Sequence, residues 1–115
     1  MGEIRETLAE IARLGRFAES RRHDFLQSEP CHWAPQAIVC PETGMPFSDK
    51  GAWGLICYLL EQHPETFQEM TLETPPGQVA YKTVHTLRNG TRVYIKVQLS
   101  RGKARARSFH ISEEE

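Results

Sequence analysis

The chain has 115 residues, 39% of them hydrophobic, and a formal net charge of −1, which suits one core and is too short for two ordinary domains. No apolar run approaches the roughly 18 residues that argue a membrane span, and the charged, helix-like start from Met1 to Glu6 does not read as a signal peptide, so a cytoplasmic location is expected. Cys31, Cys40 and Cys57 lack the spacing of a disulfide framework or a zinc site, and no metal or other cofactor is expected.

In chain order, Ile4, Leu8, Ile11, Leu14 and Phe17 recur at helical spacing and predict a first helix over about Glu3 to Ala18. Ser20 to Pro30 is polar, with room for a short helix. The Pro- and Gly-rich stretch that follows to Pro46 reads as loop, interrupted by one short strand at Ala37-Ile38-Val39. Ser48 suits an N-cap, Asp49 suits the first turn, and Trp53, Ile56, Cys57, Leu59 and Leu60 form the stripe of a second, central helix ended by His63-Pro64. A helical turn at Glu65-Thr66-Phe67 and a short strand at Met70-Thr71-Leu72 precede the break at Pro75-Pro76-Gly77. Residues 1–47 are thus a helix plus irregular loop, 48–112 a helix and a sheet, and 113–115 an acidic tail, all within one domain.

Charge is segregated along the chain. Residues 1–73 carry six basic and twelve acidic groups, residues 74–112 carry eight basic groups and no acid, and the tail is Glu113-Glu114-Glu115. Such a basic segment is an electrostatic footprint for a polyanion, nucleic acid being the commonest; the plainer reading is a solvated basic sheet face.

Within it, Val93, Ile95, Val97 and Leu99 alternate with polar residues, and Asn89-Gly90 and Arg101-Gly102-Lys103 mark turns, the pattern of a three-stranded meander. A two-residue turn at Asn89-Gly90 would set His85 opposite Tyr94. A three-residue second turn would pair Ser100 with Ala104 and Tyr94 with His110, burying Phe109 and Ile111. The expected fold is α+β, two N-terminal helices packed on one face of a C-terminal antiparallel sheet, with the other face open.

On that open face the expected cluster is His85, Tyr94, Lys96, Ser108 and His110. Metal-free RNA cleavage needs a base for the 2′-hydroxyl, cations for the phosphate and an acid for the leaving oxygen. His85 and His110 are candidate acid and base, Lys96 a candidate charge stabiliser and Tyr94 a candidate hydrogen-bond donor. Lys82, Arg92, Arg105, Arg107 and Ser108 are candidate RNA contacts, although strict alternation puts Lys82, Arg105 and Arg107 on the core side. For each residue the bland alternative is a cross-strand surface pair.

The run Gly44-Met45-Pro46-Phe47, the apolar helix, Phe67 and Met70, then Val93-Tyr94-Ile95-Lys96 and Ser108-Phe109-His110 resembles the MqsR-type messenger-RNA interferase toxins, relatives in shape of the RelE-like ribonuclease toxins. The resemblance covers roughly Gly44 to His110. It implies a RelE-like architecture, cleavage of single-stranded RNA and a neutralising antitoxin partner. The family's strand tyrosine falls on Tyr94, the lysine after its Ser-Phe on His110, its glutamine on Lys82 and its earlier lysine near Gln68. His110 keeps an acid–base group, whereas Gln68 cannot replace a cation. Two readings therefore stand: a metal-independent, toxin-like endoribonuclease, and a non-catalytic module that binds nucleic acid or an acidic protein through the same sheet.

Overall fold

The computed structural model describes residues 2–73 and 76–112, so the acidic tail 113–115 lies outside the described residues. Helix α1 (Gly2–Gly15) and helix α2 (Asp49–Gln62) pack on one face of a sheet built from β5 (Gln68–Thr71), β6 (Val79–Thr86), β7 (Arg92–Ser100) and β8 (Lys103–Ile111). The α+β class is as expected. The sheet, however, is mixed: two short strands, β1 (Arg21–Arg22) and β2 (His32–Trp33), run parallel to β8 along its outer edge. A separate hairpin joins β3 (Val39–Cys40) and β4 (Met45–Pro46).

The helices follow from their apolar stripes. Leu8, Ile11 and Ala12 of α1 and Ala52, Trp53, Ile56 and Leu60 of α2 are buried against Val93, Ile95, Val97 and Phe109 of the sheet. Helix α2 starts where expected, with the Ser48 Oγ accepting a hydrogen bond from the Gly51 N–H at 2.9 Å. It ends before Pro64, which opens a turn of 3-10 helix, Pro64–Thr66. Helix α1 stops at Gly15, three residues short of the expected end, and there it packs closely on α2: a Cβ at Gly15 would lie 3.0 Å from the Cys57 sulfur.

Two turn lengths differ from expectation, and each moves side chains between faces. The β6–β7 turn has three residues, not two: Leu87 N–H donates to Thr91 O, Gly90 N–H donates to Leu87 O, and Gly90 takes the φ of 91° that favours glycine. His85 therefore faces Val93 on the helix side, and Lys82 faces Lys96 on the opposite side.

The β7–β8 turn has two residues, Arg101 and Gly102, both at positive φ, and Ser100 pairs with Lys103. The extra residue enters instead at a bulge opposite Lys96 and Val97, where Ser108 and Ala106 are the partners and Arg107 is the unmatched residue. Past that bulge the expected register holds, with Tyr94 opposite His110 and Ile95 opposite Phe109. Phe109 is fully buried, but Ile111, at the end of its strand, is 46% exposed.

Candidate active site on the open sheet face

The face turned away from the helices is only half open. Over the half nearest the Arg101-Gly102 turn lies the segment between β1 and β2, and it takes up two of the candidate RNA contacts. Arg105 donates to Asp24 O at 2.9 Å and pairs with the buried Glu29 carboxylate at 3.3 Å. Arg107 donates to Pro30 O and to the Gln98 side chain, each at 2.9 Å. Both arginines are about 5% exposed or less. The expectation that they contact RNA is corrected: they are internal fasteners, Arg105 turned away from the helix core by the two-residue turn that sets it opposite Gln98, Arg107 by the bulge, and both are held by the 23–31 segment. Glu29 also accepts a hydrogen bond from Ser100 at 2.7 Å.

Beyond this segment the strand registers align one row of side chains across five strands: His32 opposite Ser108, Ser108 opposite Lys96, Lys96 opposite Lys82, and Lys82 opposite Gln68. The next row holds His110, Tyr94 and Val84. Residues two apart on a strand share a face, so both rows look outward together. Tyr94, Lys96, Ser108 and His110 gather as expected, but Ser108 is buried, so the expectation that it contacts RNA is corrected. His85 does not join them; the one-residue difference in the β6–β7 turn puts it on the other side of the sheet. The same shift brings Lys82 out to the open face, contrary to the parity reading. Arg92 lies at the exposed end of the same strand face.

The group has a defined local chemistry. The imidazoles of His32 and His110 stack with centroids 4.1 Å apart, and Tyr94 lies against His110 at 5.3 Å. His110 Nδ1 lies 2.9 Å from Ile111 O. A carbonyl only accepts, so Nδ1 carries the proton of the neutral ring and Nε2 is the basic nitrogen. Lys96 Nζ sits 6.0 Å from the centre of the Tyr94 ring. Burial, then the charges of Arg107 and Lys82, lowers the Lys96 pKa below the usual lysine range. No ion pair of the described residues involves Lys82 or Lys96, although the two stand opposite each other. Like charges so placed oppose folding and favour a bound anion. A recess of about 290 Å³ between Gln68, Lys82, Val84 and Tyr94 opens beside them.

His32 was missed in the sequence, where it reads as part of an irregular loop. Its place is set by its neighbour. Trp33 turns inward, packs on Trp53 and Phe109 with centroids 5.8 and 5.5 Å away, and donates to Asp49 at 2.9 Å. In a strand the preceding side chain must then point outward. Trp53 donates to His23 Nδ1 at 3.1 Å, and His23 stacks on Trp33, so the segment is pinned to the start of α2. The only sequence signal for His32 was a polar–aromatic pair able to run beside Ser108-Phe109. Among the described residues no group of three His, Cys, Asp or Glu side chains could hold a metal ion, and no helix is long and apolar enough to cross a membrane.

On the helix side, burial and then the charge of His63 lower the His85 pKa below the ordinary imidazole value. The unfolded chain therefore binds this proton more readily. The stability associated with neutral His85 is complete above about pH 6.5 and declines as pH falls through the lowered value. Urea unfolding between about pH 7 and pH 5 should show this decline, and His85→Phe should flatten it. An unchanged pH slope in the variant would assign the decline to other groups.

No protein-family model, curated protein or solved structure matches the chain.

Proposed function

We propose that the open face is the active site of a metal-independent endoribonuclease of the MqsR type, with RelE-like architecture, acting on single-stranded RNA. The observation that supports this reading best is the Lys82–Lys96 couple, without an ion-pair partner among the described residues, beside Tyr94 and the stacked His32–His110 imidazoles. Lys82 and Lys96, opposite each other, together hold the non-bridging oxygens of the scissile phosphate. His110 Nε2 takes the proton of the 2′-hydroxyl, whose oxygen attacks phosphorus. The bond from phosphorus to the 5′-oxygen breaks, and Lys96, made more acidic by its burial, gives that oxygen a proton. The products are a 2′,3′-cyclic phosphate and a 5′-hydroxyl. Tyr94 donates a hydrogen bond to the phosphate, and an acidic antitoxin-like protein covering this face would switch it off.

Incubating the protein with labelled RNA in EDTA should yield fragments that end in cyclic phosphate. RNA that is bound but left intact would favour the non-catalytic binding module instead. Affinity for an uncleavable RNA should fall steeply with salt, because each neutralised phosphate releases condensed counterions. In the same series Lys96→Ala should lower the log–log slope by about one phosphate's share, ~0.7 for a single strand. A slope near zero in the wild-type protein would remove this face as a polyanion site.

A further inference from the structure

On the other side of the sheet, a cleft of about 840 Å³ lies between the β3–β4 hairpin, α2 and the end of β6. We infer that this cleft is a second binding site, for an uncharged, mainly apolar small molecule that carries one hydrogen-bonding group. Its volume is within the ~300–1,000 Å³ typical of ligand pockets. Three separate elements supply apolar walls: Met45 and Phe47 from the hairpin and its exit, Leu55 and Tyr58 from α2, and Leu87 from the β6–β7 turn. Met45 is 64% and Tyr58 53% exposed, so large apolar side chains face water at a concave surface, where a ligand would cover them.

Charge selects the ligand class. Among the described residues the cleft is lined by two charged ones, Glu42 and Arg88, and these pair with each other at 3.3 Å, bridging the hairpin tip to the β6–β7 turn. Neither is left to attract an ion of the opposite sign. The lining imidazole of His85 is partly buried, and its lowered pKa keeps it neutral at pH 7. A neutral imidazole offers one donor and one acceptor, which is enough to orient a hydroxyl or an amide on an otherwise apolar body. A bounded cleft with one such anchor is the construction of a small-molecule pocket, and it is separated from the open face by the sheet itself.

Titration of the 15N-labelled chain with 4-methylphenol, toluene and benzoate tests this directly. 4-Methylphenol and toluene should each produce saturable amide shifts at Leu55, Tyr58, His85 and Leu87, with 4-methylphenol about fivefold tighter through its hydroxyl. Benzoate should produce none. His85→Phe should bring the 4-methylphenol to toluene ratio close to one while toluene still binds. Met45→Lys, at a position too exposed to threaten the fold, should weaken both. Shifts that do not saturate, shifts centred on Lys82 and Tyr94, tighter binding of benzoate, or affinities untouched by Met45→Lys would each overturn the assignment.

Discussion

Glu29→Gln is expected to destabilise the fold by about 3–5 kcal/mol, a large share of the ~5–15 kcal/mol that holds a domain of this size together. The carboxylate is 3% exposed and meets Arg105, whose side chain is 6% exposed, at 3.3 Å, while Ser100 donates to its other oxygen. Removing the negative charge leaves a guanidinium buried beside a neutral amide. The remaining carboxylate, Asp24, lies 3.8 Å from Arg105 and is itself more than half exposed, so it compensates weakly. Urea unfolding should show the loss as a lower midpoint at unchanged slope. Glu29→Gln combined with Arg105→Met should cost less than Glu29→Gln alone, because no buried charge is then left unpaired. A single-variant cost under about 1 kcal/mol would mean that Asp24 and its carbonyl satisfy Arg105 by themselves.

That pair also explains what was hidden in the sequence. Arg105 and Arg107 read as part of a basic stripe because their partners, Glu29 and Pro30, lie in a distant segment with no periodic pattern of its own. Strands β1 and β2 are two residues each, too short for alternation to show, so neither the covering of half the face nor the arrival of His32 could be read locally. Helix α2 and strand β7 were legible for the opposite reason. Each carries its full signal in adjacent residues: the Ser48 cap and apolar stripe for one, the alternation from Val93 to Leu99 for the other.

Turn lengths are an intermediate case. Asn89-Gly90 fits a two-residue turn and equally the three-residue turn observed, in which the Asn89 side chain accepts from Thr91 N–H and Gly90 supplies the positive φ. Local chemistry leaves that choice open, and burial of Tyr81 and Thr83 opposite the core residues Val97 and Ile95 settles it. The residue gained there exchanges His85 for Lys82 on the open face. In the second hairpin the bulge at Arg107 compensates for the shorter turn, which is why Tyr94 and His110 meet as the burial of Phe109 required.

His110→Ala should reduce RNA cleavage by about 10²-fold or more while weakening RNA binding little. A positioned acid–base group contributes ~10²–10⁴-fold to rate, whereas one neutral imidazole adds little attraction for phosphate. Lys96→Ala should lower both, because a cation on the phosphate acts in the ground state and in the transition state. The pair with His32 sharpens the test. If His32 positions the base by stacking, His32→Phe keeps an aromatic ring 4.1 Å from His110 and should retain most of the activity, while His32→Ala should lose much more. If His32 itself transfers a proton, the two variants should be equally impaired. Circular dichroism of each variant separates these outcomes from unfolding, which is not expected because His32 is exposed and His110 only partly buried. Wild-type rates in His110→Ala would remove that imidazole from the mechanism and leave His32 as the histidine of this face able to take the 2′-hydroxyl proton.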